Sequence, residues 1–131
     1  MRLLLDTHIA LWAVVYDRRL PSKAADLIAD PVNEIFVSAA SLWEIAIKRG
    51  LARGGPNDMP VSAAEALGYF QKAGYAMLDI AAAHAAAVEG LPKLHADPFD
   101  RIIVAQALTI PLRLITHDVR VARYSDTVIT V

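Results

Sequence analysis

Cysteine is absent from this 131-residue chain. Disulfides and thiolate metal sites are therefore excluded, which suits a reducing compartment. No apolar run reaches the roughly 18 residues that a bilayer-spanning helix needs. The opening Met1-Arg2-Leu3-Leu4-Leu5-Asp6 meets an acid before the ~7–15-residue apolar stretch of a signal peptide can form. Both readings point to a cytoplasmic protein with no membrane partner. A strong charge of either sign is missing too, with 13 basic against 14 acidic side chains and a net charge of −1. Such a balance argues against a constitutive, electrostatically driven nucleic-acid binder, though not against an enzyme that handles nucleic acid at a local basic rim. Repeats and low-complexity tracts are also lacking. One domain over residues 1–131 is the simplest organisation.

What is abundant is apolar surface, at 56% of residues. That is enough for layers covered on both faces, and it hints that a partner or a second copy covers some of the rest. Short apolar strands alternate with helical stretches. Strands are expected at Arg2–Leu5, Ile35–Val37, Tyr75–Leu78, Leu112–Ile115 and Thr127–Val131. Helices are expected at His8–Tyr16, from Pro21-Ser22 to Asp30, from Ser38 or Ser41 to Gly50, at Ser62–Lys72 and Ala81–Glu89, after Asp97, and briefly at Val119–Arg123. This alternation predicts an α/β fold, a parallel sheet flanked by helices. In such sheets ligands bind beyond the carboxyl ends of the strands, where the strand order reverses.

Several acids converge on that edge. Asp6 and Asp118 each follow a buried strand, and Glu44 lies on the helix after the second strand. Asp97-Pro98-Phe99-Asp100 puts two carboxylates on the first turn of a buried helix, with Asp97 as N-cap, Pro98 at the first helical position and Asp100 two residues further on. Each acid alone has a plain structural explanation. Asp6, Asp97 and Asp118 cap helices, Asp100 complements a helix dipole, and Glu44 pairs with Lys48 one turn on, worth only ~0.3–0.5 kcal/mol on an exposed helix. Together they ask for more. Like charges about 4 Å apart repel by roughly 4 kcal/mol at an effective dielectric of about 20, so such a cluster needs a cation or shared protons. With no cysteine and scattered histidines, an all-oxygen site favours Mg²⁺ or Mn²⁺. An acidic pocket holding such a metal suits phosphoryl chemistry, in which the metal activates water and stabilises the leaving oxygen.

Four blocks carry a family resemblance: Leu3-Leu4-Leu5-Asp6-Thr7-His8, Ser41-Leu42-Trp43-Glu44-Ile45, His95-Ala96-Asp97-Pro98-Phe99-Asp100-Arg101 and Leu114-Ile115-Thr116-His117-Asp118. In order and spacing, and over nearly the whole chain, this resembles the PIN-domain ribonucleases, most closely the VapC-type toxins of bacterial toxin–antitoxin pairs. The resemblance implies a PIN-like three-layer fold with a five-stranded, mostly parallel sheet and an acidic pocket for Mg²⁺ or Mn²⁺. It also implies endonucleolytic cleavage of RNA, neutralisation by a small cognate antitoxin, and a homodimer. Residue by residue it carries over Asp6, Glu44, Asp100 and Asp118 as catalytic metal ligands, with Thr7 and Thr116 as nearby hydroxyls. Asp97 matches the extra acid of one subgroup, either a ligand or only the cap.

Lys48, Arg49, Arg53 and Arg101 are candidate RNA contacts, although basic residues near a helix C-terminus explain the first two equally well. His8, His95 and His117 flank acidic blocks and are expected to be exposed or capping. His84 is expected half-buried, and Trp12, Trp43 and Phe70 are expected mostly in the core, unless one or two of them contribute to a groove for a partner's helix. Three rival readings are a non-catalytic protein of the same fold, a receiver-like domain and a haloacid-dehalogenase-like phosphatase. A receiver wants paired acids after the first strand and a lysine after the last. The phosphatase wants an acid two residues after Asp6, where His8 stands.

Overall fold

A computed structural model describes all residues, Met1 to Val131. Five strands, β1 (Arg2–Leu5), β2 (Glu34–Ser38), β3 (Ala76–Leu78), β4 (Arg113–Thr116) and β5 (Ile129–Thr130), form one sheet in the order β3-β2-β1-β4-β5. Every pairing is parallel, not just most of them. Seven α-helices connect them: α1 (Thr7–Val14), α2 (Ser22–Ala29), α3 (Ala39–Gly50), α4 (Ala63–Lys72), α5 (Ala82–Ala87), α6 (Pro98–Thr109) and α7 (Val119–Ala122). None of these helices is long and apolar enough to cross a membrane.

Alternation along β1 explains the three layers. Leu3 and Leu5 point to one face, into a core with Ile9 and Ala10 of α1, Ile45 of α3 and Ala66 and Phe70 of α4. Leu4 points to the other, against Ile103, Val104 and Ala107 of α6 and Val121 of α7. A strand buried on both sides reads as an unbroken apolar run, as Leu3-Leu4-Leu5 does. From β1 the chain steps outward through β2 and β3, then returns to lay β4 on the other side of β1. The order therefore reverses between β1 and β4, and the crevice at their carboxyl ends is where Asp6 and Asp118 emerge.

Local chemistry sets the ends. Ser62 and Glu65 form a reciprocal capping box at the start of α4. Gly74, with φ of 84°, closes that helix, while Tyr75 N–H bonds to the Phe70 carbonyl at 3.0 Å and Gly74 N–H to that of Gln71 at 3.0 Å. This is the left-handed glycine stop, with the Phe70 and Tyr75 rings stacked across it at 6.2 Å. Two elements are shorter than the sequence suggests. The Ser125 hydroxyl accepts from Thr127 N–H, which draws that residue into a turn, and β5 begins only at Ile129. The alanine-rich helix also stops early, and Val88–Gly90 continue as a single 3₁₀ turn.

Phe70 is completely buried. Phe70→Ala should lower unfolding stability by about 3–5 kcal/mol. Urea denaturation checks this, and a loss below about 1 kcal/mol would mean that the α4 face is not core.

Candidate active site

Asp6 begins the site because it follows a strand with no exposed face. It is 8% exposed and caps α1, taking Ile9 N–H on Oδ1 at 2.9 Å. Its Oδ2 accepts from the Thr116 hydroxyl at 2.5 Å, and Thr116 Oγ1 in turn accepts from Asp118 N–H at 3.0 Å. One threonine at the end of β4 thus locks the loops after both central strands. Thr7 shares a 2.9 Å hydrogen bond with Ser41 of α3, two hydroxyls 34 positions apart. Burial pushes the Asp6 carboxyl above its ordinary range, opposed by the Thr116 and Ile9 hydrogen bonds and reinforced by Glu44.

Ser38, rather than Ser41, caps α3, so Glu44 falls on the turn that faces the sheet edge. It is 3% exposed. Oε2 meets Lys48 Nζ at 2.6 Å, while Oε1 is buried with no hydrogen-bond partner at all. Buried carboxylate oxygens seldom stay unpaired.

Asp97 Oδ1 accepts from the N–H groups of Phe99 and Asp100 at 2.9 and 3.0 Å, the N-cap role its place before Pro98 predicts. Asp100 stands on the same turn and points back to His95, whose Nε2 lies 3.1 Å from Oδ2. Its pKa is pushed up to about 6, first by burial and then by Asp97, with Asp6 and Glu44 adding to the rise against the His95 hydrogen bond. Asp100 therefore senses Asp97, Asp6 and Glu44, and Asp6 senses Glu44. As placed, no three acids or histidines converge on a ready metal-binding arrangement, since each carboxylate holds a protein partner instead.

Asp118 is differently placed. It caps α7 at the rim, where Arg120 grips both its oxygens at 2.7 and 3.1 Å and holds its pKa below the usual carboxylate range. His95 adds to that lowering, and partial burial opposes it. Arg120 also feels Asp100 and Asp97. The only sequence signal for this basic neighbour was the Asp-x-Arg spacing.

The basic candidates are largely committed within the chain. Lys48 is tied to Glu44, and Arg49 donates to the Met59 carbonyl at 2.8 Å. Arg101, expected to face RNA, donates to the Pro92 carbonyl and the Tyr124 hydroxyl at 2.9 and 3.0 Å. Arg53 is exposed on the 51–60 loop. A cleft of about 660 Å³ is lined by His8, Trp12, Asp17, Arg19, Lys48 and Asn57 among others; it meets the acidic site only through Lys48 and His8, and none of Asp6, Glu44, Asp97, Asp100 and Asp118 lines it. Three further expectations are corrected. His95 has a side chain only 4% exposed, because it faces Asp100 and Tyr124 instead of solvent. His84 is buried rather than half-buried, with its Nδ1 accepting Ala81 N–H at 2.9 Å. Trp43 is 58% exposed, packed edge-on against Phe99 at 5.1 Å.

A carboxyl whose folded-state pKa exceeds its unfolded value holds its proton longer when folded. Its contribution is full below about pH 4, the unfolded range, and is lost as pH rises through about 6 for Asp100, with Asp6 shifted the same way. In chelator, Asp100→Asn should flatten that segment of the stability–pH curve. Identical curves for the two proteins between pH 4 and 7 would contradict the buried cluster.

The PIN-domain profile matches residues 3–126. No curated protein matches the chain. Among solved structures, the fold is similar to that of VapBC2 from Rickettsia felis bound to a promoter DNA fragment, at 18% identity and a TM-score of 0.68, covering 100% of this chain and 98% of that one. A toxin–antitoxin complex from Klebsiella pneumoniae aligns at 20% identity and a TM-score of 0.63, over 98% and 96% of the two chains. VapBC-1 from nontypeable Haemophilus influenzae does so at 16% and 0.63, over 98% and 95%. With the profile running from β1 past Asp118 and through every acid of the crevice, the chain belongs to the PIN-domain family.

Proposed function

We propose that this chain is a divalent-metal-dependent endoribonuclease and the toxin of a toxin–antitoxin pair. The observation that carries the metal is Glu44 Oε1, buried and unpartnered within electrostatic reach of Asp6 and Asp100. Three mutually repelling carboxylates with one orphaned oxygen fit a hard cation, and the all-oxygen set fits Mg²⁺ or Mn²⁺. When bound, such an ion lowers the pKa of water and neutralises charge on the departing 3′ oxygen.

The chain's own part is to hold and to exclude. Asp6, fixed by Thr116 and Ile9, and Asp100, fixed by its place on α6, would hold the ion directly, and Glu44 would complete the set on releasing Lys48. Lys48 is then free to meet a phosphate, a second use for a residue otherwise spent on a half-buried pair. Asp118 and Arg120 sit at the rim, where Arg120 meets the anionic backbone more readily than Asp118 meets the ion. Water adds to the scissile phosphorus as the bond to the 3′ oxygen breaks, which leaves a 5′ phosphate and a 3′ hydroxyl. The cleft that Lys48 shares with Arg19 and Asn57 offers an RNA strand a path that reaches the site at Lys48.

The partner reading rests on two supports. The structural neighbours include toxin–antitoxin complexes. The second is an apolar stripe along α3, where Trp43, Ile47 and Leu51 recur every four residues and remain 58%, 41% and 64% exposed. A small antitoxin lying there and presenting a basic side chain to Asp6 and Asp100 would silence the enzyme, and homodimerisation would cover further apolar surface.

Cleavage of RNA by the purified chain should stop in excess EDTA. Asp6→Asn and Asp100→Asn should each lower it at least a thousandfold, whereas Asp97→Asn, which still caps α6, should only weaken it. A non-catalytic protein of this fold would show no cleavage to lose, and undiminished cutting by the Asp6 or Asp100 variant would contradict the mechanism.

A further inference from the structure

A chain of side chains outside the proposed ligand set ends on Asp100. His95, in the loop before α6, is the middle link: Nε2 is 3.1 Å from Asp100 Oδ2 and Nδ1 is 2.8 Å from the Tyr124 hydroxyl. Tyr124 follows α7, 29 positions away, with its ring 5.4 Å from the imidazole. Arg101 Nη1 lies 3.0 Å from the same hydroxyl, and its guanidinium carbon is 6.0 Å from the Tyr124 ring centre. The imidazole side chain is 4% exposed, so its two partners are these and not solvent.

The proton inventory gives the chain a direction. A guanidinium only donates, so the Tyr124 oxygen accepts from Arg101 and its own proton is left for His95 Nδ1. An imidazole that accepts at Nδ1 carries its proton on Nε2, the atom facing Asp100. Every donor then meets an acceptor with the imidazole neutral, and Asp100 Oδ2 is held while Oδ1 is left for a cation. This is the arrangement by which outer partners fix the orientation of a ligating side chain.

We propose that His95 is a positioning residue for Asp100, set in its Nε2–H tautomer by Tyr124, which Arg101 anchors in turn. The proposal rests on the reading of Asp100 as a metal ligand. It also gives Arg101 a task inside the protein and explains why the residue beside the acids is engaged with the chain's own carbonyls.

The test is Mn²⁺ binding to the full chain, followed by calorimetry and by the Mn²⁺ electron paramagnetic resonance signal, with circular dichroism confirming that each variant is folded. His95→Ala should weaken Mn²⁺ binding about 10–100-fold. His95→Gln, which can return an N–H donor to the position of Nε2, should recover most of that loss. Tyr124→Phe removes one hydroxyl and no volume to speak of, and should weaken binding by a smaller factor. Equal losses in the Ala and Gln variants, with Tyr124→Phe unchanged, would reduce His95 to a space-filler and overturn the proposal. So would Mn²⁺ binding to His95→Ala as tight as to the unaltered chain while Asp100→Asn loses it. If Asp100→Asn itself binds Mn²⁺ undiminished, the metal reading beneath the proposal is what fails.

Discussion

Carboxylates that have lost their water dominate this molecule's design. Asp6 and Glu44 are nearly inaccessible and Asp100 is mostly so; Glu44 raises the cost of ionising Asp6, and both raise that of Asp100. Removing like charges from solvent opposes folding unless hydrogen bonds, protons or a counter-ion compensate. The chain supplies some of that compensation itself, through Thr116 and Ile9 on Asp6, Lys48 on Glu44 and His95 on Asp100. The residue left uncompensated is a single oxygen, Glu44 Oε1. The proposed cation answers that remainder.

The sheet makes the crowding possible. Its order reverses between β1 and β4, so the loops leaving those strands diverge and open a crevice at the one place where two acidic blocks leave adjacent strands. α3 and α6 then bring Glu44 and Asp100 from elements distant in sequence. Their caps, Ser38 and Asp97, fix where each helix starts, and so the side on which Glu44, on the second turn of α3, and Asp100, on the first turn of α6, emerge. Asp97 thus acts chiefly through the backbone of α6. Its charge nevertheless reaches Asp100, so cap and ligand are coupled electrostatically.

Much of this was legible in the residues, for identifiable reasons. Leu3-Leu4-Leu5 announces a strand buried on both faces, Gly74 announces the end of α4, and Asp97-Pro98 announces the start of α6. Each is a short-range rule satisfied within a few positions. What escaped depends on contacts between distant positions. No local pattern joins His95 to Tyr124 or Thr7 to Ser41, so a histidine beside an acidic block looked exposed when it was buried. For Trp43 size and hydrophobicity suggest core, whereas its place on α3 turns it outward, the other of the two settings open to it. Asp118 has the sequence setting of the other acids, and its ion pair with Arg120 two residues on is a contact that setting does not announce.

On the proposed function, Asp6, Glu44 and Asp100 share one cation. Anomalous diffraction from crystals of the full chain soaked in Mn²⁺ addresses it without reference to any substrate. A shared ion gives a single strong anomalous peak in the crevice between β1 and β4, within direct ligating distance of Asp6 and Asp100, with Glu44 Oε1 turned towards it and Lys48 released. A crevice with no peak at saturating Mn²⁺, or Mn²⁺ found only at the Asp118 rim, would contradict it.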